Sequence, residues 1–177
     1  MNTHDHTSHL IERLGRLISN TYHSDGFKPV QWESLRFLNH ANKFSRNPSA
    51  LVEYLGVTKG SVSQTLSTLE MRGLVKKSID KSDKRAVRLD LTKAGYAQVK
   101  KDPLLEISRS LNSLETSKCI DISNGLEEIL KVQLNSRGRR AFGLCFECRF
   151  HQKVQNRLRC GLLDVPLTKT DASKICL

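Results

Sequence analysis

Residues 58–75 read Thr58-Lys59-Gly60-Ser61-Val62-Ser63-Gln64-Thr65-Leu66-Ser67-Thr68-Leu69-Glu70-Met71-Arg72-Gly73-Leu74-Val75. Val62, Leu66 and Leu69 recur at helical spacing and mark one apolar face. Thr58 is a capping residue placed just before this run, and Gly73 supplies the residue that ends it. Gly60, Ser63, Gln64 and Ser67 fall on the opposite, polar face, and Lys59 and Ser61 lie in the first turn. Immediately upstream, Asn47 and Pro48 open a short helix whose Leu51, Val52 and Leu55 point inward, and Gly56 stops it. Helix, tight glycine turn, helix is the shape of a helix-turn-helix.

Downstream, residues 74–79 and 86–91 are two extended pieces around the charged tip Asp80-Lys81-Ser82-Asp83-Lys84-Arg85, which predicts a hairpin, or wing. Thr92 then caps a helix through Ala94, Tyr96 and Val99. Asp102-Pro103 interrupts it, and Leu104, Leu105, Ile107, Leu111 and Leu114 continue the apolar face. A last helix over about residues 117–135 carries Ile120, Leu126, Ile129, Leu130 and Leu134. Upstream of the core, Leu10, Ile11, Leu14, Leu17 and Ile18 form the stripe of a first helix. A second begins at Pro29 and buries Trp32, Leu35 and Leu38, with Phe37 flanking. The fold class is therefore mainly α with a small β-wing. The expected units are an N-terminal helix at 1–28, a winged helix at 29–101, further helices at 102–140 and a cysteine-rich tail at 141–177.

Charge points the same way. The 177 residues carry 29 Lys and Arg against 18 Asp and Glu, a net of +11. Eleven of the basic and four of the acidic side chains fall in residues 56–101, so +7 of the excess sits in the helix-turn-helix and wing. Concentrated positive charge attracts polyanions and releases their counterions, which makes nucleic acid the leading partner. Hydrophobic residues make up 38% of the chain, enough for a core. The apolar runs are a few residues long, and a membrane helix needs roughly 20. MNTHDHTSHL lacks the basic start and apolar stretch of a secretory signal, so a cytoplasmic protein is expected.

Asp83-Lys84-Arg85 followed by Leu91-Thr92-Lys93-Ala94-Gly95 resembles the D-x-R-x5-L-T-x-x-G wing signature of MarR-type winged helix-turn-helix regulators. The order of elements over about residues 8–135 is similar to that family, with residues 58–75 in the place of its recognition helix. The resemblance implies a homodimer with interlocked first and last helices on pseudo-palindromic double-stranded DNA. It assigns Arg85 to the minor groove and Asp83 to orienting it. The residues support this independently: Gln64 can offer a donor and an acceptor to an adenine edge, and Gly60 lets the backbone approach closely. Thr58, Lys59 and Ser61 stand where helix amides favour a phosphate. Ser63 and Ser67 complete the exposed face, and Lys81, Lys84 and Arg88 are expected on phosphates, which position without specifying. Surplus apolar surface on the first and last helices calls for a second copy of the chain.

Five cysteines occur: Cys119, then Cys145, Cys148, Cys160 and Cys176 in the pattern C-x2-C-x11-C-x15-C. Inside a reducing compartment, thiols clustered on a segment too short for its own core suggest a metal centre. One C-x2-C pair with two isolated cysteines is less regular than paired zinc knuckles, and Phe142, Phe146 and Phe150 can shield a cluster. An iron–sulfur cluster (2Fe–2S or 4Fe–4S) is the first expectation and zinc the alternative. The tail is also similar to C-x2-C-R-[HF] tails attached to some MarR-type proteins. His151 can replace one thiol, and Cys119 is expected as a packed core thiol.

The expected function is a sequence-specific DNA-binding transcriptional regulator that responds to metal or redox state through this four-cysteine centre. A purely structural zinc site is the alternative within that reading. A cluster-containing redox enzyme is the alternative of another class, but the chain holds no phosphate loop, paired catalytic carboxylates or hydrolase motif. A non-specific architectural protein differs only in its preference among duplex sequences. A thiol-peroxide sensor of the same family is disfavoured because the first helix holds no cysteine.

Overall fold

The computed structural model describes residues 2–21, 26–79, 87–139 and 142–176. Element order is α1 (Thr3–Thr21), α2 (Pro29–His40), α3 (Pro48–Leu55), α4 (Lys59–Met71), β1 (Val75–Ile79), β2 (Val87–Leu91), α5 (Lys93–Val99), α6 (Leu105–Asn112) and α7 (Thr116–Ser136). The tail follows as β3 (Gly143–Leu144), a single 3₁₀ turn at Cys145–Glu147, β4 (His151–Val154), β5 (Arg157–Cys160), β6 (Val165–Leu167), α8 (Lys169–Ala172) and β7 (Ile175–Cys176).

Local chemistry sets the boundaries. Asn47 accepts from the Ala50 amide and Thr58 from the Ser61 amide, each satisfying a first-turn donor. Gly56 takes φ +65° and ends α3 in the left-handed conformation, as expected. β1 and β2 pair antiparallel with Val75 opposite Leu91 and Ile79 opposite Val87. The wing's root is fixed by an unusually close approach. Thr92 donates its hydroxyl to the Gly73 carbonyl at 2.6 Å and accepts from the Gly95 amide at 3.0 Å. Gly95 is then so near the Leu74 backbone that a Cβ there would stand 2.1 Å from the Leu74 carbonyl oxygen. The L-T-x-x-G spacing is thus a packing rule: Leu91 enters the core, Thr92 caps and ties, and Gly95 leaves room.

The core runs through Trp32, Leu35, Phe37, Leu38, Leu51, Val62, Leu66, Leu69, Val75 and Leu89. Phe37 belongs to it fully and does not merely flank. α1, α6 and α7, by contrast, contain no buried residue at all. Leu14, Leu17, Ile120, Leu126, Ile129 and Leu130 are each at least 44% exposed, so the predicted apolar surplus is present on these arms. No described helix is long and apolar enough to cross a membrane.

The junction between the winged helix and the arm is the break at Asp102-Pro103. Arg36 on α2 donates through Nε to Asp102 Oδ2 at 2.5 Å and through Nη2 to Oδ1 at 3.0 Å. Asp102 is buried and also accepts from the Leu104 amide at 2.8 Å, which starts the next helix. Two-point pairing of this kind fixes direction as well as distance. Removing one partner strands the other charge away from water. Asp102→Ala is expected to destabilise the chain by about 3 kcal/mol, read as a lower urea midpoint.

Candidate nucleic-acid interface and cysteine module

α4 carries the predicted two-faced arrangement. Val62, Thr65, Leu66 and Leu69 are buried, while Thr58, Lys59, Gly60, Ser61, Ser63, Gln64 and Ser67 are all exposed along one side. Nothing inside the chain requires glycine at position 60, since an added Cβ would meet only Thr58 Oγ1, at 3.8 Å. Open space there suits close approach from outside. The buried Thr65 is a position that polarity alone concealed.

The wing is braced against this helix. Lys77 Nζ lies 2.8 Å from Glu70 Oε2, tying β1 to the last turn of α4, and this pairing holds the Glu70 carboxyl below its ordinary pKa. On β2, Arg88 Nε lies 2.9 Å from Asp90 Oδ2, and Arg46 Nη1 lies 3.2 Å from Asp90 Oδ1. Partial burial works against ionisation of Asp90, yet Arg88 and Arg46 together hold its pKa below the usual value. The sequence places Arg88 on a phosphate; in the structure its guanidinium is engaged on its own strand, because a carboxylate two residues away shares its face. Lys81, Asp83, Lys84 and Arg85, the rest of the expected wing contacts, lie outside the described residues.

The tail folds into a module of its own. β3 pairs with β7, placing Gly143 opposite Cys176, and β4 pairs with β5, placing His151 opposite Cys160. All five cysteines are free thiols; Cys145 and Cys160 are buried, and Cys148 and Cys176 are partly so. Cys145 is pushed up to about 11 by burial and by its neighbours Cys176, Cys148 and Cys160. The four tail thiols are therefore brought into one neighbourhood. In the arrangement seen, though, no group of three or more His, Cys, Asp or Glu side chains among the described residues is set to hold a metal ion. His151 Nδ1 stands 4.0 Å from Cys145 Sγ. Cys119 departs from expectation: it is half-buried on α7 with its sulfur 3.3 Å from the Leu111 carbonyl, because α7 has no core of its own within the chain.

The sequence reads residues 137–140 as a linker, and among its described residues Arg139 is anchored to the winged helix. Arg139 donates through Nη2 to the Gly56 carbonyl at 2.8 Å, at the turn of the helix-turn-helix. The module docks on the same region. Ile175 bridges Ala41, the Asn42 amide donates to the Ile175 carbonyl at 2.8 Å, and Lys43 Nζ lies 3.2 Å from Asp171 Oδ2. Phe142 stacks on Tyr54 with centroids 4.5 Å apart, and Tyr54 on Phe37 at 4.7 Å. A cleft of about 290 Å³ between α7 and the module is lined by Leu130, Leu134, Phe142, Leu144 and Ile175, among others.

With this geometry in view, known proteins supply a frame. Residues 25–86 match the model of the MarR family. Among solved structures, a mutant S. aureus MepR is similar at 18% identity and a TM-score of 0.59, over 75% of this chain and 99% of that one. Streptococcus pneumoniae FabT, solved in complex with DNA, is similar at 17% identity and 0.57, over 76% and 99%. A MarR transcriptional regulator from Methanosarcina mazei Go1 gives 23% identity and 0.57, over 74% and 98%. This is the MarR-type winged-helix fold. No curated protein matches the sequence. The MarR-type structures are spanned almost end to end by about three quarters of this chain, and the MarR family match ends at residue 86, so the cysteine module lies outside that match.

His40, at the end of α2, reports on the docked seam. Burial and the charge of Lys174 lower its pKa, Asp102 works the other way, and Arg36 adds to the lowering. A folded-state value below the ordinary 6.5 means that stability from this site is complete above that pH and is lost as pH falls below it. The melting midpoint is therefore expected to drop between about pH 7.5 and 5.5, and His40→Gln should flatten that dependence. An unchanged slope in the variant would place the titration elsewhere.

Proposed function

We propose that the protein is a homodimeric, sequence-specific transcription regulator of the MarR type, with the cysteine module as a metal- or redox-responsive effector part. The observation that carries the DNA reading is α4: a capped helix with an unbroken exposed polar face, backed by a buried stripe, in the stretch that holds +7 of the net charge. Gln64 and Ser63 are the side chains best placed for base edges, with Ser67 beyond them and Gly60 permitting the approach. Thr58, Lys59 and Ser61 receive a phosphate at the helix N-terminus. Arg85 enters the minor groove, oriented by Asp83, with Lys81, Lys84 and Arg88 on the backbone. FabT, a structural relative at low identity, was solved with DNA, which is in keeping with this use of the fold.

Pairing is supported by α1, α6 and α7, which have no buried residue and expose apolar side chains along their length. A second copy interlocking these arms places two α4 helices roughly 34–36 Å apart, one DNA turn. A structural zinc site is the second reading of the tail, favoured by how little apolar core the module has. Nothing in either reading calls for catalysis.

The protein should run as a dimer in light scattering. It should bind its own promoter at least about 10³-fold more tightly than random duplex at matched salt. Gln64→Ala should cost about 1–3 kcal/mol on the promoter and little on random DNA, whereas Lys59→Ala should weaken both and reduce the salt slope by about one. Equal affinity for promoter and random duplex overturns the specific-regulator reading.

A further inference from the structure

We infer that Cys145, Cys148, Cys160 and Cys176 ligate one metal centre through sulfur, and that this centre is the missing core of the module docked on the helix-turn-helix. The inference deepens the effector reading above and is independent of whether α4 reads sequence.

Four observations converge on it. First, the buried cluster of the module consists of Cys145, Cys160 and Leu167, with Phe44, Phe150, Leu158, Val165 and Cys176 packed around it. One buried leucine is far too little apolar surface to hold a module of this size, and small domains of that kind are usually completed by metals or disulfides. Disulfides do not supply the hold, since all the thiols are free.

Second, the strand pairing delivers the thiols from separate segments to one end of the module. Cys145 follows β3, whose Gly143 pairs with Cys176 itself. Cys160 pairs with His151, three residues beyond Cys148.

Third, the turn between Cys145 and Cys148 carries a backbone donor for sulfur. The Cys148 amide donates to the Cys145 carbonyl at 3.1 Å, and the Phe150 amide points at Cys148 Sγ at 3.5 Å. A metal-bound sulfur at Cys148 would keep that outer hydrogen bond. Fourth, His151 Nδ1 stands 4.0 Å from Cys145 Sγ while His151 pairs with Cys160 across the strands, so the imidazole lies beside two of the thiol positions. Cys119 is excluded, being on α7 with its sulfur on Leu111.

Four thiolates suit soft or borderline metals, so zinc and an iron–sulfur cluster share the recognising chemistry. Full-length protein prepared anaerobically should contain either about one zinc per chain or iron with acid-labile sulfide and visible absorption; the two arms identify the metal. Cys148→Ser and Cys160→Ser should each lose most of it, and Cys119→Ser should keep it. Because those variants can fail to fold, the wild-type chain is also stripped with a chelator and titrated with Co²⁺ alone. Sulfur-to-cobalt charge-transfer bands and strong tetrahedral absorption are expected, with four thiols becoming protected from a thiol reagent. Metal-free protein that gives no such bands and leaves every thiol reactive overturns the inference, whatever the DNA titrations show. So does Cys119→Ser losing the metal while Cys148→Ser and Cys160→Ser retain it.

Discussion

α2 is buried along nearly its whole length, and the winged-helix core is positioned by how it packs on that helix. Trp32, Leu35, Phe37 and Leu38 have no exposed surface. An amphipathic helix on a protein surface needs one apolar stripe, so a helix buried on several sides must be a hub. α3, α4 and β2 take the apolar sides. Arg36 reaches out to Asp102 and aims the arm, and the residues just past the helix end, Ala41 to Lys43, receive the tail. α4, the arm beyond Asp102 and the cysteine module therefore share one reference helix.

What could be read in advance follows from this geometry. Caps and glycine turns are local chemistry, so Asn47, Gly56, Thr58, Gly73 and Thr92 announced their elements directly. The two faces of α4 were legible because a period of 3.6 is a short-range signal. The docking of the tail was not, because it depends on partners far apart in sequence. Nothing about Arg139 marks it as a donor to Gly56 rather than as a linker cation, and a two-residue strand such as Ile175–Cys176 has no period to detect. Arg88 illustrates the same limit on a smaller scale. Its ion pair with Asp90 becomes visible only once a strand puts both side chains on one face.

The electrostatics of the wing gain meaning from those pairings. Surface ion pairs contribute little to stability one at a time. Lys77 with Glu70, and Arg46 with Asp90, instead tie the two strands of the wing to α4 and to the segment before α3. Their consequence is orientation.

The placement of the module constrains how any effector in it can act. A ligand shifts an equilibrium only by its differential affinity for two arrangements, so coupling requires elements that differ between them. Two seams join the module to the rest of the chain. One joins the module to the helix-turn-helix through Ile175, Asp171 and the Phe142–Tyr54–Phe37 stack. The other is the apolar cleft against Leu130 and Leu134 on α7. Arg139 also fastens the chain just past that helix to the Gly56 carbonyl. A change in the module's shape would therefore bear at once on α7 and on the turn before α4, and a metal centre in this position would act through both.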